Sequence, residues 1–184
     1  MTEKMTRRSF FSLNISSTIG FIGNFIAPQI EQERDFIRPP GAENELAFLT
    51  SCTRCGICKD ICPESTISLF SMKHGAKLTN TPYLDPNDTA CTFCEKCIDH
   101  CPTSALSKDG LMQNPAIGKA EIKQQNCLAF REVMCDYCVR SCPIDGALTI
   151  IDGKPKVDDK LCNGCGLCVS SCIQQYKGIF VNTI

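Results

Sequence analysis

Apolar residues in this chain occur in short runs, apart from one longer stretch near the start. From Ser9 to Ile30 the chain carries no charge, and its apolar residues are diluted by Ser, Thr, Gly and Asn. The later runs span only a few residues each. Two of them, Ala147–Ile151 and Lys154–Val157, flank Asp152-Gly153, a pair typical of type I′ turns. The pattern therefore predicts a β-hairpin there.

Similar short elements are expected elsewhere. Glu45–Thr50 predicts a helical turn, and Glu64–Phe70 predicts a short helix. Lys77-Leu78 and Pro82–Leu84 predict a second hairpin, and Leu111–Gly118 is expected to join two halves of the chain. The plan of hairpin, cysteine loop and short helix repeats four times, as two pairs.

Cysteines separate these elements at a repeated spacing. The sequence has sixteen, in four sets of four, and a proline follows three of the sets. Three sets have the spacing C-x2-C-x2-C-x3-C, whereas the first gap of the third set is seven residues, Leu128 to Met134. This spacing is the ligand pattern of bacterial ferredoxins, and four copies predict four [4Fe–4S] clusters. In chain order the sets are Cys52, Cys55, Cys58, Cys62; Cys91, Cys94, Cys97, Cys101; Cys127, Cys135, Cys138, Cys142; and Cys162, Cys165, Cys168, Cys172.

Neighbouring sets are expected to exchange their last cysteines. A cubane needs one thiolate for each iron, and in two-cluster ferredoxins the fourth cysteine ligates the neighbouring cluster. This exchange would tie two sets into one module, with a short helix beginning near the proline after the fourth cysteine. The predicted ligand groups are the first site (Cys52, Cys55, Cys58, Cys101), the second site (Cys91, Cys94, Cys97, Cys62), the third site (Cys127, Cys135, Cys138, Cys172) and the fourth site (Cys162, Cys165, Cys168, Cys142).

Two other uses of cysteine fit part of this pattern. A cysteine content above about 8 % in a short chain can indicate a disulfide scaffold, but cysteines separated by only two residues have poor disulfide geometry. Zinc is the stronger alternative, because paired C-x2-C motifs build four-thiolate zinc sites. Such sites usually present two pairs separated by a longer loop, so the pattern favours clusters.

Composition limits the fold and the function. The chain has 184 residues, 7 % aromatic residues and no tryptophan, so the clusters are expected to replace much of a conventional core. We predict an α+β fold of two tandem bacterial 2[4Fe–4S] ferredoxin-like modules, with short hairpins, short helices and a small conventional core. The predicted domains are 1–44, a signal or anchor with a linker, 45–115, the first module, and 116–184, the second module.

Charge and motifs exclude several classes of function. A net charge of −1 without a basic face argues against nucleic acid as a partner. No general acid–base pair, nucleophile constellation or phosphate loop is recognisable, so the chain is predicted to be an electron carrier or accessory subunit and not an enzyme. Gly56, Gly164 and Gly166 in the cysteine loops are expected to let main-chain N–H groups approach the sulfur atoms. Because other sets lack these glycines, the clusters should differ in potential.

The N-terminal section has the features of an export signal. Thr6-Arg7-Arg8-Ser9-Phe10-Phe11 precedes the uncharged stretch and is similar to a twin-arginine signal. That route carries folded, cofactor-loaded proteins, which suits clusters assembled inside the cell. We therefore predict a periplasmic protein, with membrane association through the N-terminus as one option. The alternative is an uncleaved arm on a cytoplasmic protein.

Several segments resemble the NapF, NapG and MauM ferredoxin-type accessory proteins. The matching segments are Ile37–Gly41, Ala47–Cys55, Cys91–Cys94, Cys127–Phe130 with the seven-residue gap, and Leu161–Gly166. The resemblance covers about residues 36 to 172 and supports ligation by Cys127. It implies one of two roles. The NapG type is exported and relays quinol electrons to a periplasmic nitrate reductase beside a membrane partner, whereas the NapF type is cytoplasmic and is linked with maturing the reductase.

Three hypotheses for function follow. The first is a four-cluster electron relay between a quinol-oxidising membrane partner and a periplasmic oxidoreductase of the nitrate-reductase type. The second is a maturation or assembly factor for a molybdenum-dependent periplasmic nitrate reductase. The third is a zinc-stabilised interaction module.

Overall fold

The computed structural model describes residues 35–184, and Asp35–Ile184 forms one compact unit. The twin-arginine segment and the uncharged stretch lie outside the described residues. In chain order the helices are α1 (Glu45–Ser51), α2 (Ile57–Asp60), α3 (Lys96–Asp99), α4 (Lys108–Gln113), α5 (Tyr137–Arg140) and α6 (Leu167–Ser170). The strands are β1 (Ile67–Leu69), β2 (Pro82–Leu84), β3 (Lys119–Ile122), β4 (Leu148–Ile151), β5 (Lys154–Val157) and β6 (Ile179–Asn182), and short 3₁₀ turns cover Met72–His74, Gln124–Asn126 and Leu128–Arg131.

The strands of the described part pair into three two-stranded antiparallel sheets, β1 with β2, β3 with β6 and β4 with β5. In the β4–β5 hairpin, Leu148 lies opposite Val157 and Ile151 lies opposite Lys154. The turn residue Asp152 has φ 51° and Gly153 has φ 74°. Two consecutive positive φ angles define the type I′ turn, so the predicted hairpin and its turn are confirmed.

The helix predicted at Glu64–Phe70 is wrong, because this segment contains β1. Ile67 lies opposite Leu84, and both side chains are almost fully buried. Pairing with β2 satisfies the backbone and buries the apolar residues, which a free-standing helix of this length could not do. The hairpin partner of Pro82–Leu84 is thus β1 and not the predicted Lys77-Leu78.

The short helices near the cysteines also lie elsewhere than predicted. Helices α2, α3, α5 and α6 precede the fourth cysteine of each set instead of starting at the following proline. In every set the fourth cysteine donates its N–H to a carbonyl near the end of the helix, as Cys62 does to Lys59 at 3.2 Å and Cys172 does to Val169 at 3.1 Å. The next residue is a proline in three sets, which has no N–H to extend the helix. The hydrogen bond at the end of the helix therefore fixes the direction of the fourth cysteine.

The two halves of the chain share this plan but close differently. In the second half, β3 before the third cysteine set pairs with β6 after the fourth set. In the first half the same places are taken by α1 and α4. Asn44 accepts from the Ala47 N–H at the start of α1, and Ser107 accepts from the Gly110 N–H at the start of α4. The predicted helical turn at Glu45–Thr50 is confirmed.

Residues 36–44, assigned from the sequence to a linker, pack against the first half. Ile37 is buried, and its carbonyl accepts from the Leu84 N–H at 2.9 Å. Gly41 is buried too, and its carbonyl accepts from the Ser107 N–H at 3.0 Å. The segment thus extends the first half towards the N-terminus of the described part. Among residues 35–184, no helix has the length and apolar character needed to cross a membrane.

The fold is the small α+β ferredoxin-like architecture that the sequence predicts. Its apolar core is modest and is continuous with the cysteines. Phe48, Leu84, Leu106 and Val169 are nearly inaccessible to solvent. Half-buried cysteines from all four sets pack directly against this core. A group bound to the sulfur atoms would therefore also affect the packing of the core.

Candidate metal centres

The cysteine loops gain their shape from left-handed residues between the cysteines. Arg54 has φ 58° and Gly56 has φ 80°, one in each of the two-residue gaps between the first three cysteines of the first set. The second set repeats this with Phe93 and Glu95, and the fourth set repeats it with glycines 164 and 166. Left-handed residues reverse the chain direction, so three successive cysteines can line one cleft. Non-glycine residues adopt this conformation at a cost of about 1–2 kcal/mol each.

The third set reaches the same arrangement by a longer route. Its seven-residue gap forms the 3₁₀ turn Leu128–Arg131 and reverses at Glu132, which has φ 62°. The gap after Cys135 lacks the left-handed residue of the other sets, since Asp136 has φ −135°. Cys127 nevertheless lines one cleft with Cys135.

Three clefts are lined by four cysteines each, in the crossed combinations that the sequence predicts. The cleft of the first site encloses about 350 Å³, including solvent at its mouth, and is lined by Cys101 of set two with three cysteines of set one. The third-site cleft, of about 390 Å³, combines Cys172 with three cysteines of set three. The fourth-site cleft, of about 350 Å³, combines Cys142 with three cysteines of set four. Apolar side chains such as Leu148, Val157 and Val181 line much of the remaining wall of the fourth-site cleft.

The cysteines predicted for the second site lie in partly buried surroundings and interact electrostatically with one another. Cys97 is buried, Cys91 and Cys62 are half-buried, and Cys94 is exposed. Burial raises the pKa of Cys97 to about 12, and the negative charges of Cys91, of Cys58 in the neighbouring first site, and of Cys94 and Cys62 add to this effect. Burial likewise raises the pKa of Cys91 to about 11, with contributions from Cys62 and Cys94. Cys62 of set one thus lies electrostatically close to the cysteines of set two.

Raised thiol pKa values are common to the other sites. Burial is the main cause, and repulsion from neighbouring thiolates adds to it. Together they raise the pKa of Cys58 and Cys138 to about 11 and that of Cys168 to about 12. Four thiolates in one partly buried group repel one another, so a cation is needed to hold them ionised. Iron in a bound cluster would supply that positive charge and allow the thiols to lose their protons.

Main-chain N–H groups approach several sulfur atoms. Arg54 donates to Cys52 at 3.4 Å, and Leu106 donates to Cys101 at 3.5 Å, both in the first site. Burial alone would raise the pKa of Cys101, but hydrogen bonds from Leu106, Thr103 and Ala105 lower it overall. The chain around Cys101 is therefore arranged to accept negative charge on this sulfur.

The third and fourth sites receive such donors from the β3–β6 region. The N–H of Ala120 in β3 donates to Cys162 at 3.4 Å, and that of Gly178, next to β6, donates to Cys172 at 3.4 Å. The sequence analysis missed these residues because they lie far from the cysteines they serve along the chain. The alternation of charged and apolar residues at 119–122 and the apolar residues at 179–181 indicate strands, but not their pairing.

Two loop glycines serve a purpose other than the predicted approach of N–H groups to sulfur. A Cβ on Gly164 would lie 2.5 Å from the Gly118 backbone, and one on Gly166 would lie 2.8 Å from the Pro86 Cβ. Gly56 differs, because a Cβ there would meet only Leu69 at 3.5 Å. The glycines of set four therefore permit close contact with other segments of the chain.

The cysteines surround clefts and do not converge on single points. Among residues 35–184, no group of three or more His, Cys, Asp or Glu side chains is placed to hold a single metal ion. A tetrahedral zinc site holds four sulfur atoms about 2.3 Å from one ion, whereas a cubane places one iron at each of four thiolates. Soft thiolates in a cleft walled by apolar side chains suit the cubane.

Comparison with known proteins supports the same chemistry. The family described as 4Fe-4S dicluster domain matches residues 51–105 and again residues 90–146. The first match contains sets one and two, and the second contains sets two and three. The two matches overlap because the cysteine spacing repeats along the chain.

Individual relatives match most of the chain. Ferredoxin-type protein NapG of Escherichia coli (strain K12) is 37% identical over 161 residues, covering 79% of this chain and 69% of that protein. The methylamine utilization ferredoxin-type protein MauM of Paracoccus denitrificans (strain Pd 1222) is 36% identical over 160 residues, covering 79% of this chain and 70% of that protein. Ferredoxin-type protein NapF of Haemophilus influenzae is 31% identical over 176 residues, covering 92% of this chain and 90% of that protein.

Proposed function

This chain belongs to the family of ferredoxin-type iron–sulfur proteins that includes NapG, NapF and MauM, and we propose that it carries four [4Fe–4S] clusters and relays single electrons. The electrons pass from a quinol-oxidising membrane partner to a periplasmic oxidoreductase of the nitrate-reductase type. The chain acts as a carrier or accessory subunit and not as an enzyme with its own substrate.

The observation that carries this proposal is the crossed grouping of cysteines. Three clefts each contain three cysteines of one set and the last cysteine of the paired set. The short helices explain the crossing, because they direct the fourth cysteine away from its own loop. All sixteen cysteines are assigned by this scheme, four to each site.

The residues around each site have roles that suit an electron carrier. When bound, a [4Fe–4S] cluster takes up and releases one electron at a time. The cysteines hold it, and apolar residues such as Leu148 and Val157 limit water at the fourth site. N–H donors such as Leu106 stabilise negative charge on sulfur and so favour the reduced state. A fixed backbone keeps the surroundings similar in both redox states.

Anaerobic purification followed by redox-poised EPR tests the cluster content. We expect a brown protein with one iron atom for each of its sixteen cysteines, equal sulfide, and signals that appear in several reduction steps. A colourless protein that contains zinc and no sulfide would support the zinc-stabilised module and end the proposal.

A maturation factor for a molybdenum-dependent nitrate reductase is the second candidate. One comparison favours it, because the NapF relative matches in length, with 90% of that protein covered. The NapG relative has the higher identity but is covered over 69% of its length. Both candidates need the same clusters, so location separates them.

Export of a reporter fused to residues 1–45 discriminates between the two candidates. For the relay we expect the reporter in the periplasm, and we expect Arg7→Lys combined with Arg8→Lys to abolish its export. Lys4→Arg is the matched control, since it changes a nearby basic residue outside the pair. A wild-type fusion that stays in the cytoplasm would count for maturation.

A further inference from the structure

The two halves of the chain meet where segment 85–91 of the first half lies against the fourth cysteine loop. The Cys91 N–H donates to the Cys165 carbonyl at 2.7 Å. Cys91 belongs to the second site and Cys165 to the fourth. These two sites are therefore direct neighbours, although set three lies between their loops in the sequence.

The Asn87 side chain, and the lack of a Cβ at Gly166, reinforce this junction. Asn87 donates from Nδ2 to the Val181 carbonyl at 2.9 Å and accepts from the Val181 N–H at 2.7 Å, so it pairs with β6 as a strand residue would. Pro86 is fully buried. Its carbonyl oxygen occupies the place of a Cβ on Gly166, and only glycine leaves room for this approach.

Within each half, the sites are neighbours through their helices. Helix α2, which carries Cys58, contacts α3, which carries Cys97. Helix α5 contacts α6 in the same way, and the Ser141 hydroxyl donates to the Leu167 carbonyl at 3.4 Å. The first site is thus beside the second, and the third is beside the fourth.

The first and third sites lie away from the junction. The residues that line the first cleft all lie within 48–106, and those that line the third all lie within 122–179. Burial agrees with this placement. The buried cysteines are Cys97, Cys165 and Cys168, which belong to the second and fourth sites, although Cys94 of the second site is exposed.

Resting on the proposed function, we infer that the four sites form one row in the order first, second, fourth, third. The row crosses between the halves at the contact of Cys91 with Cys165. In each step one cluster is oxidised and its neighbour in the row is reduced by a single electron, with no bond made or broken. The first and third sites are the ends of the row, where electrons enter and leave.

Gly166→Ala tests the junction, and Gly56→Ala is its matched control. Both glycines occupy the same position in the C-x2-C-x2-C loop, with φ 84° and 80°, so the alanine strains both backbones alike. Only the alanine at 166 collides with Pro86. The full-length protein is purified anaerobically, and its iron and sulfide content, its EPR spectrum after full reduction and its thermal unfolding are measured.

For the wild type we expect a broad spin–spin interaction signal that extends over both halves, and one unfolding transition. Gly56→Ala strains the loop of the first site without touching the junction, so it should keep the interaction between the second and fourth sites, whatever its effect on the first. For Gly166→Ala we expect unchanged iron content, loss of the interaction between halves with that within each half retained, and two unfolding transitions. An unchanged interaction signal in Gly166→Ala with full iron content would overturn the row. Absence of iron and sulfide from the wild type would instead overturn the proposed function.

Asn87→Ala provides a second route if Gly166→Ala fails to fold. It removes both hydrogen bonds to β6 without adding atoms. Asn182→Ala is its control, because Asn182 bonds only the exposed Glu121 carboxylate among the side-chain contacts described for it. We expect a weaker interaction signal between halves for Asn87→Ala and a wild-type signal for Asn182→Ala. Equal spectra for the two variants would count against the row.

Discussion

Arg38 is the residue that fixes the N-terminal segment of the described part to the first half. Its guanidinium makes two bonds to the Glu45 carboxylate, at 2.6 and 3.0 Å, and further bonds to the Thr81 hydroxyl and the Pro82 carbonyl. The same group lies 4.5 Å from the ring centre of Phe48 and near two other aromatic rings. Removal of a buried charge with these partners is costly, because the partner groups stay buried and cannot form hydrogen bonds with water instead.

Arg38→Ala should destabilise the protein strongly. Removal of one partner from a buried ion pair costs about 3–5 kcal/mol, since the other charge remains buried. Arg140→Ala is the control, because its pair with Asp136 is exposed and contributes about 0–1 kcal/mol. Chemical unfolding of the cluster-loaded proteins, followed by circular dichroism, measures both. Equal stability of the two variants would show that the Arg38 network does not hold the segment.

At the scale of secondary-structure elements, short-range sequence patterns predicted those features that depend on neighbouring residues. The hairpin 148–157 follows from Asp152-Gly153, since the type I′ turn depends on two adjacent residues. The helix at Glu45–Ser51 follows from its Asn44 cap and the apolar residues behind it. The crossed site composition also follows from local spacing, because the fourth cysteine always comes four residues after the third.

Long-range pairing could not be predicted in this way. A helix is expected at 64–70 because the segment follows Cys62-Pro63, but Ile67 and Leu69 alternate with a polar residue as in a strand, and their pairing with β2 decides the outcome. The burial of Arg38 depends on Glu45, Thr81 and three aromatic rings that no local pattern connects. Contact between Cys91 and Cys165 joins residues that are far apart in the sequence, so the order of the sites could not be predicted from local patterns either.

Cys101→Ser tests the crossing that the short helices produce. Helix α3 ends just before Cys101, and this cysteine lines the first cleft with Cys52, Cys55 and Cys58. We expect the substitution to alter the cluster of the first site and leave that of the second site intact, because serine is a poorer ligand for iron than thiolate.

Two further variants identify the affected cluster. Cys55→Ser removes a predicted ligand from the first site, and Cys94→Ser removes one from the second; both cysteines are exposed, so neither side chain is itself part of the apolar core. In redox-poised EPR, the signals lost in Cys101→Ser should match those lost in Cys55→Ser. A match with Cys94→Ser would mean that each set binds its own cluster without exchange.

At the scale of the whole molecule, the clusters and the apolar core form one stabilising unit. Half-buried cysteines such as Cys58, Cys138 and Cys162 pack against buried aliphatic residues, so iron bound to them would connect parts of the core. The left-handed Phe93 and Glu95 add backbone strain of about 1–2 kcal/mol each. A domain has a net stability of about 5–15 kcal/mol. Metal binding in small metal-dependent domains contributes on the order of 10 kcal/mol, which is comparable with that total.

Removal of iron should therefore unfold residues 35–184. When iron is extracted with a chelator under anaerobic, reducing conditions, we expect loss of the far-ultraviolet circular dichroism signal and of any cooperative thermal transition. Reconstitution with iron and sulfide should restore both, and a sample carried through the same steps without chelator is the control. Because no disulfide joins the described cysteines, nothing covalent would hold the sets together once iron has left. An iron-free protein that keeps its cooperative transition would show that the aliphatic core alone is sufficient.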